Sequence, residues 1–409
     1  MACGNSKIKV LYDVEQLMKE CVSARSGIFR VADELFKYFS NADDVDLYLA
    51  VTENKGDLPL YLKSIGREDL QNKVVILPSA KVMTKNKNIL QVLRSKVWAF
   101  FLKSAYRKKL SGFDWYFSPF SPVAPLIYRQ ELKTAVMVHD IIPIVRPDLA
   151  DKGSKFLKKY KNWMSSLQAD LIVFNSVCSQ KDFLNFRKDV LPYKTLVAYL
   201  GADERFVPSV GSKNPETVLK KYSIESKNYI LSLADKNKRK NFPHLIDSFV
   251  RFIEKTGNQD VCLVLAGPKR KGGIELDDVI SSYEKYRNRI INIGFVEEND
   301  LAALYANAAF FVYPSLYEGF GLPVLEAMKC GVPVICGNNS SLPEVAGDAA
   351  LYISGSDEDE TAEVMSRLFK DKSLQNSLAQ KGLERSSGFS WKRTGETVLN
   401  ALLANSGRE

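Results

Sequence analysis

The chain has 409 residues, which at about 150 residues per domain predicts two or three domains and excludes a peptide hormone or a disulfide mini-protein. With 45% hydrophobic and 26% charged residues, the composition is that of a globular protein and excludes fibrous and low-complexity classes. Two histidines are too few for a His-rich zinc site. The six cysteines form no Cys-x-x-Cys pair, which favours reduced thiols in a cytoplasmic protein.

The net charge of +9 is distributed unevenly along the chain. Residues 1–200 contain 31 Lys and Arg against 20 Asp and Glu, whereas the rest of the chain contains 26 against 28. The asymmetry predicts that the first half faces an anionic partner, either membrane headgroups or nucleic acid. The longest apolar stretches are far shorter than the about 20 residues that cross a bilayer, and residues 1–10 lack the apolar core of a signal peptide. We therefore expect neither a membrane span nor export by this route.

Short runs of β-branched and aromatic residues alternate with stretches of helical periodicity in the first half of the chain. The predicted strands are Ile8–Asp13, Leu47–Val51, Val74–Pro78, Trp115–Ser118, Ala135–His139, Leu171–Asn175 and Leu196–Leu200. Amphipathic segments such as Ile28–Tyr38 lie between several of them. This alternation predicts a parallel sheet that is covered by helices on both faces.

The same alternation repeats after residues 207–227, a stretch rich in Pro, Gly, Ser and Lys. The predicted strands are Tyr229–Leu233, Cys262–Gly267, Ile290–Phe295, Phe310–Pro314 and Val332–Gly337. We predict an α/β protein with two facing, doubly wound parallel-sheet domains over residues 1–207 and 228–389, a linker over 208–227, and a C-terminal helix within 390–409 that packs back on the first domain. Because open parallel sheets bind ligands at the carboxyl ends of their strands, the site is expected in the cleft between the domains.

Two other motifs match only in part. Gly267–Gly272 has the spacing of a phosphate-binding P-loop, but Gly273 and Ile274 follow where that loop needs Lys and Ser or Thr. There are also two Asp-x-Asp matches. The first, Asp44–Asp46, just precedes a predicted strand, and the second, Asp357–Asp359, lies in an acidic surface run. We therefore expect neither a triphosphate loop nor a metal site at these positions.

The strongest signal is the stretch Phe311–Cys336, in which a buried strand leads into a glycine-rich loop and a helix. Gly319 and Gly321 are expected to adopt positive φ and to let the backbone approach a ligand. The helix that follows presents its N-terminal amides as an anion seat. Glu318 in the loop and Glu326 one turn into the helix can accept hydrogen bonds from sugar hydroxyls. The alternative is that both glutamates only complement the helix dipole.

Glu318 and Glu326, eight residues apart around Gly-Phe-Gly-Leu-Pro, resemble the E-x7-E motif of the family 4 glycosyltransferases. Further segments along nearly the whole chain resemble other motifs of that family in the same order, namely His139–Pro143, Asn175–Asp182, Leu200–Pro208 and Lys238–Asn241. The resemblance implies the GT-B architecture of two facing Rossmann-like domains. It also implies that an acceptor docks on the first domain and a nucleotide sugar on the second.

The resemblance further implies roles for individual residues of the second domain. Lys240, with Arg239, is expected to neutralise the donor diphosphate. Glu326 is expected to hold the ribose hydroxyls, and Glu318 to lie beside the transferred hexose. The backbone near the sugar and phosphates is expected to be that of Gly319, Phe320, Gly321 and Leu322. The alternative for the two basic residues is an ordinary surface loop.

Two residues of the first domain complete the predicted site. Gly27 resembles the glycine loop that closes over the diphosphate, although Phe29 stands where the family often has a second glycine. His139 is expected at the C6 side of the hexose, where it orients the sugar and stabilises developing positive charge; a structural role is the alternative. The resemblance implies transfer with retention of configuration, by departure of the diphosphate on the face that the acceptor attacks, without a metal or another cofactor.

Residues 85–110 contain eight basic residues and no acidic one. This predicts an interfacial helix whose basic side chains face anionic headgroups and whose aromatic side chains enter the membrane boundary. The predicted contacts are Arg94, Lys96, Trp98, Phe101, Lys103, Arg107, Lys108 and Lys109. The alternative is a helix packed on the core with a solvated basic face. Membrane association places the protein on the inner face of the cytoplasmic membrane and suits a lipid-linked acceptor.

The combined expectation is a hexosyltransferase of cell-surface polysaccharide assembly, such as O-antigen, capsule or lipopolysaccharide. The segments His139–Pro143 and Ser341–Ala346 look most like those of mannosyltransferases in the family, which favours GDP-mannose as donor and a lipid-linked glycan as acceptor. The alternatives are a UDP- or dTDP-sugar enzyme, a sugar phosphorylase, a nucleotide-sugar epimerase and a non-catalytic nucleotide-binding scaffold. No recognised motif supports nucleic acid as the partner.

Overall fold

The computed structural model describes residues 7–20, 26–52, 57–78, 101–120, 122–150, 153–208, 215–225, 228–233, 237–258, 260–267 and 276–407. Within these residues the chain forms two parallel β-sheets connected by helices. Alternate residues of the central strands lie in different hydrophobic clusters, so each sheet is buried on both faces. The predicted α/β class with two doubly wound sheets is confirmed.

In the described part of the first domain, the sheet has seven strands in the order β3-β2-β1-β4-β5-β6-β7. Their bounds are β1 (Ile8–Asp13), β2 (Val45–Val51), β3 (Val74–Ile76), β4 (Trp115–Ser118), β5 (Lys133–Val138), β6 (Leu171–Phe174) and β7 (Thr195–Val197). Every pair is parallel, and Tyr12 at the centre of the sheet pairs with Leu49 on one side and Phe117 on the other. The strand order reverses between β1 and β4, which is where doubly wound sheets place their ligand crevice.

The helices of the first domain follow the strands at their carboxyl ends. They are α1 (Glu15–Glu20), α2 (Gly27–Asn41), α3 (Leu58–Ser64), α4 (helical residues 101–110), α5 (Ile142–Val145), α6 (Ser154–Ser165) and α7 (Val177–Phe186). Serine side chains fix two of the helix starts that point into the cleft: Ser26 accepts from the Phe29 amide at α2, and Ser176 accepts from the Ser179 amide at α7.

The second sheet repeats the topology, with six strands among the described residues in the order β10-β9-β8-β11-β12-β13. Their bounds are β8 (Tyr229–Leu233), β9 (Cys262–Ala266), β10 (Ile290–Gly294), β11 (Phe310–Tyr313), β12 (Val334–Gly337) and β13 (Ala350–Ile353). Strand β13 was not predicted from the sequence. That strand is a short edge strand with a single β-branched residue, so its local signal is weak and its pairing with β12 decides its conformation.

The helices that follow are α8 (Pro215–Lys221), α9 (Phe242–Thr256), α10 (Leu276–Ser281), α11 (Glu298–Ala306), α12 (Leu322–Lys329), α13 (Leu342–Ala346), α14 (Glu358–Lys370), α15 (Lys372–Ser387) and α16 (Trp391–Ala404). Short 3-10 helices also occur among the described residues, at Glu68–Lys73, Ile127–Arg129, Pro147–Leu149, Pro192–Lys194, Lys238–Lys240 and Glu284–Arg289. Helix α8 lies inside the predicted linker, and the domain bounds themselves stay a prediction. In the described ranges, no helix combines the length and the apolar character needed to cross a membrane.

Helix α16 returns from the second domain and packs on the first. The Trp115 indole donates to the Leu402 carbonyl over 3.1 Å. A Cβ at Gly395 would lie 2.2 Å from the Tyr38 ring, so that ring rests directly on the helix backbone. This packing attaches the C-terminal helix to the first domain.

Candidate active site

A basic turn follows β8 at the carboxyl edge of the second sheet. The Asn237 side chain accepts from the Arg239 amide at 2.9 Å, and Asn241 ends the turn in the left-handed region at φ 56°. The turn is bound to the loop after β11, because the Leu316 amide donates to the Arg239 carbonyl at 2.8 Å and the Arg239 side chain donates to the Tyr317 carbonyl at 2.9 Å. The turn therefore projects Arg239 and Lys240 into that loop.

Glu318 is the centre of this cluster and is buried. Its carboxylate pairs with Arg239 and with Lys240, whose Nζ lies 2.9 Å away. It also accepts from the Ser315 hydroxyl at 2.6 Å and from the Tyr313 hydroxyl at 2.8 Å. Burial alone would raise the pKa of Glu318, but the charges of Arg239 and Lys240 outweigh it and hold the pKa well below its ordinary value. Glu318 is therefore ionised and holds both cations.

The cluster has the electrostatics of an anion site. Two cations, Arg239 and Lys240, face the Glu318 carboxylate, and the Asp140 carboxyl group also acts on Arg239. Burial raises the pKa of Asp140, which favours its uncharged form. The Lys240 ammonium lies 4.6 Å from the centroid of the Tyr313 ring. Because water is largely excluded here, these cations attract a phosphate more strongly than they would at the surface.

The glycine-rich loop follows Glu318. Gly321 has φ +111° and begins α12, as predicted. The expected positive φ of Gly319 is wrong. A Cβ at Gly319 would instead lie 2.7 Å from the His139 carbonyl oxygen and 2.9 Å from the Asp140 Cβ, so the close approach of the two domains is what requires glycine there. The Gly319 carbonyl also accepts from the Ser176 hydroxyl of α7 at 2.7 Å.

His139 directly follows β5, and its backbone lies against this loop. Its ring is buried, and Nε2 lies 2.9 Å from the Pro119 carbonyl oxygen, which assigns the proton to Nε2 and leaves Nδ1 as the acceptor nitrogen. Burial lowers the pKa of His139 to about 4, against the hydrogen bond to Pro119. The imidazole is therefore neutral at pH 7. Its role at the C6 side of the hexose stays a prediction.

Gly27 starts α2 on the opposite wall of the cleft. A Cβ at this position would lie 3.8 Å from Leu322 Cδ1, so the starts of α2 and α12 face each other across the domains. Phe29 points away from the cleft into the core of the first domain, with its ring edge-on to Tyr61. Phe320 is also buried, against the rings of Tyr199 and Phe389, so only its backbone is placed to meet a ligand.

Glu326 lies on α12 and is 2% exposed. One carboxylate oxygen pairs with Arg30 of α2, and the other accepts from the Tyr305 hydroxyl at 3.3 Å. Burial raises the pKa of Glu326, and the Arg30 guanidinium opposes this rise. Arg30 was not predicted as a site residue. Its only local signal is a basic residue on a half-buried face of an amphipathic helix, three residues after Gly27.

A second carboxylate, that of Glu344 on α13, also crosses between the domains and was missed. It accepts from the Val177 and Cys178 amides at 2.6 and 3.1 Å, at the start of α7. Beside it lies an open cavity of about 620 Å³ lined by Val177, Cys178, Lys181, Asp182, Asn185, Tyr199, Ser340 and Glu344. Part of the motif segment Asn175–Asp182 lines this cavity, and Tyr199 lies directly before the motif segment Leu200–Pro208. The cavity offers polar side chains from both domains.

The predicted membrane contacts are only partly described. Phe101 is 61% exposed, and the basic side chains of α4 are exposed as well, namely Lys103, Arg107, Lys108 and Lys109. The opposite face of α4 buries Tyr106 and Leu110 in the core of the first domain. Arg94, Lys96 and Trp98 lie outside the described residues. A basic face and a core face therefore coexist on α4, and membrane binding stays a prediction.

The Asp-x-Asp matches are occupied by the protein's own contacts. Asp46 pairs with Lys73 at 2.7 Å, Asp357 caps α14, and Asp359 pairs with Arg251 at 2.7 Å. In the part of the chain that the structure describes, no group of three or more His, Cys, Asp or Glu side chains could hold a metal ion. Metal independence of the reaction stays a prediction.

Comparison with known proteins agrees with these motifs. Residues 215–385 match the model of the glycosyl transferases group 1 family. The O-antigen chain mannosyltransferase B of Escherichia coli is 38% identical over 187 residues, which are 45% of this chain and 48% of that protein. The serotype-specific mannosyltransferase WbdA of Escherichia coli is 30% identical over 273 residues, which are 66% of this chain and 33% of that protein.

Among solved structures, WaaG, a glycosyltransferase involved in lipopolysaccharide biosynthesis, aligns with 98% of this chain and 100% of its own at a TM-score of 0.63 and 16% identity. That likeness concerns the fold. The matches span about half of one curated relative and about a third of the other. The family region contains the basic turn, the glycine-rich loop and both glutamates. Residues 215–385 therefore belong to the glycosyl transferases group 1 family, and the chain as a whole has the GT-B architecture.

Proposed function

We propose that the chain is a retaining hexosyltransferase that transfers mannose from GDP-mannose to a hydroxyl group of a lipid-linked glycan in cell-surface polysaccharide assembly. The observation that carries the proposal is the convergence of Arg239 and Lys240 on the buried Glu318, directly before the glycine-rich loop. The names of the two Escherichia coli relatives support mannose as the sugar.

The second domain supplies the groups that a departing diphosphate needs. Lys240 and Arg239 bind the diphosphate and stabilise the charge that develops as the bond to the hexose breaks. Glu318 holds both cations in place before the donor arrives. The start of α12, opened by the positive φ of Gly321, adds backbone amides to the same anion site. Glu326, one turn further along, accepts hydrogen bonds from the ribose hydroxyls.

The reaction forms a bond between C1 of the hexose and the acceptor oxygen while the bond from C1 to the diphosphate oxygen breaks on the same face. The departing diphosphate oxygen takes the proton of the acceptor hydroxyl, so no protein base is needed. His139 is neutral, so it adds no positive charge beside the hexose as the ring becomes cationic. Its Nδ1 is available to accept a hydrogen bond that orients the sugar.

The donor is tested by thermal melting with saturating GDP, UDP, dTDP and ADP. A ligand at a hundred times its dissociation constant stabilises the protein by about 2.7 kcal/mol, so we expect a rise in melting temperature with GDP and none with the other three. Transfer from GDP-mannose to a lipid-linked acceptor is then followed, with the anomeric configuration of the product read by NMR. A rise with UDP or dTDP alone would contradict the GDP assignment, and no rise with any nucleotide would contradict the donor site.

We also propose that the exposed basic face of α4 holds the protein on anionic membranes. Each basic residue near such a surface contributes about 1 kcal/mol, so replacing Lys108 and Lys109 by glutamate is expected to lower the partition onto anionic vesicles at least about thirtyfold. Vesicle flotation at low and high salt measures this. The control exchanges two exposed lysines of the second domain, Lys285 and Lys370, in the same way. Equal flotation of both double variants would contradict the proposal.

A further inference from the structure

The Arg30 side chain reaches across the cleft to Glu326, the residue proposed to bind the ribose hydroxyls. It lies on α2 of the first domain, and its guanidinium pairs with Oε1 of Glu326 on α12 of the second domain. The Glu326 side chain is 3% exposed and that of Arg30 is 20% exposed, so the pair is formed almost out of water. No sequence motif of the predicted site includes Arg30.

A buried carboxyl group needs a nearby cation to stay ionised. Burial raises the pKa of Glu326, and Glu298 on α11 adds a further negative charge in the same direction. The Tyr305 hydroxyl, also from α11, donates to the second carboxylate oxygen but stays neutral, because burial raises its pKa far above physiological pH. Arg30 is the charge that lowers the pKa of Glu326.

Two further titratable groups act on Glu326 among the residues that the structure describes. Burial raises the pKa of the Tyr313 hydroxyl on β11 and of the Cys330 thiol at the end of α12, so both stay protonated. Asp203, in the segment between β7 and α8, acts on Arg30 and has its pKa lowered, against its burial, by Arg205. Arg30 is therefore the cation that opposes the effect of burial and favours the ionised form of Glu326.

Arg30 is held from three sides. Besides the pair with Glu326, its Nη2 lies 3.7 Å from the Glu298 carboxylate, which also pairs with Arg205 at 3.0 Å. The guanidinium carbon of Arg30 lies 5.9 Å from the centroid of the Phe206 ring. Arg205 and Phe206 lie in the segment between β7 and α8, close to the end of the predicted first domain. The contact of Arg30 with Glu326 therefore requires the first domain, this segment and the second domain to be in their observed arrangement.

We propose that Arg30 is a positioning residue for the nucleoside half of the donor: it reaches from the first domain and holds the Glu326 carboxylate ionised and oriented toward the ribose. The proposal rests on the proposed function, which assigns Glu326 to the ribose hydroxyls. A carboxylate offers about four acceptor positions, so Arg30 and Tyr305 leave room for two hydroxyl donors. A protonated carboxyl group would lose part of this acceptor capacity.

The arrangement couples donor binding to the position of the domains. Arg30 and Glu326 belong to different domains, so separation of the domains would break this ion pair and remove one anchor of the carboxylate. Since such coupling is reciprocal, a bound nucleotide in turn favours the arrangement in which Arg30 reaches Glu326.

The test is the dissociation constant of GDP, measured by titration calorimetry between pH 6 and 9 for the wild type and for Arg30→Met. A fully buried carboxyl group without a partner can have a pKa as high as about 8–9, and each pH unit below its pKa lowers the ionised fraction about tenfold. We expect Arg30→Met to bind GDP at least about tenfold more weakly at pH 7 and to approach the wild type at pH 9. Arg30→Lys should restore part of the affinity at pH 7.

Two further variants separate this role from a structural one. Glu326→Gln should bind GDP weakly at every pH, and adding Arg30→Met to it should weaken binding no further. Arg205→Met is the matched control, because Arg205 belongs to the same network through Glu298 but does not contact Glu326. It should show no pH-dependent loss of affinity. The melting temperature of each variant reports whether it folds, and Arg30→Gln replaces Arg30→Met if the latter does not.

The possible failures are distinct. Wild-type affinity of Arg30→Met across the pH range, or a loss that does not change with pH, would overturn the role of Arg30 and leave the donor site intact. Tighter binding by Arg30→Met would mean that Arg30 competes with the ribose, which also overturns the proposal. Absence of binding of GDP, UDP, dTDP and ADP to the wild type would overturn the proposed function and this inference together.

Discussion

Replacing Lys240 by methionine is expected to lower kcat for mannose transfer at least about a hundredfold, the size of effect seen when one preorganised donor to a developing negative charge is removed. Methionine retains an apolar stem against the Tyr313 ring but removes the ammonium group from the diphosphate. Glu318 keeps Arg239, Ser315 and Tyr313 as partners, so the fold is retained. Initial rates with GDP-mannose and the melting temperature measure the two effects.

Lys238→Met is the matched control for this prediction. Lys238 lies in the same 3-10 turn but is exposed, two residues from Lys240. Its replacement should leave both the rate and the melting temperature unchanged. A Lys240→Met enzyme that keeps most of the wild-type rate would remove Lys240 from the proposed mechanism, whereas an equal loss in Lys238→Met would point to the turn as a whole.

The second large effect concerns stability. Glu318→Gln removes the negative charge between Arg239 and Lys240 and leaves two buried cations side by side, and removing one partner of a buried ion pair typically costs about 3–5 kcal/mol. The variant should therefore unfold at lower urea concentration and lower temperature. Because a bound diphosphate would neutralise the two cations, GDP should raise the melting temperature of Glu318→Gln more than that of the wild type.

The pH dependence of this effect has a defined sign. Burial raises the pKa of Glu318, but Arg239 and Lys240 lower it more, so the folded-state pKa lies below the ordinary value. The contribution of ionised Glu318 to the free energy of unfolding is therefore present above about pH 4.5 and is lost as the pH falls toward the folded-state pKa. The stability difference between the wild type and Glu318→Gln should therefore shrink below about pH 4.5. A difference that stays constant at low pH would contradict the ionised state of Glu318.

Glu344→Gln serves as the control for the stability prediction. Its carboxylate also crosses between the domains, but it accepts from the backbone amides of Val177 and Cys178. The single amide oxygen of glutamine can still accept from one of these two amides, so the loss should be about 1 kcal/mol, as for other helix caps. A loss in Glu344→Gln as large as that in Glu318→Gln would mean that domain contact, and not the buried charge, determines the effect.

The amino-acid sequence by itself determined the local features of this protein. Strands such as Ile8–Asp13, Trp115–Ser118 and Tyr229–Leu233 have the predicted bounds, because β-branched and aromatic runs between polar segments are a signal carried by neighbouring residues. The start of α12 after Gly321 was predictable for the same reason. The motif resemblance added the second domain's basic turn and its two glutamates as one site.

Only the tertiary structure decided which side chains meet across the cleft. Glycine is required at Gly319 because the His139 backbone lies against it, and Glu326 is paired because Arg30, almost three hundred residues earlier in the chain, reaches it from α2. The edge strand β13 also depends on its pairing with β12. These features depend on distances between residues far apart in the chain, which are set by how the two sheets face each other and by the packing of α16 on the first domain. Sequence periodicity carries no information on such distances.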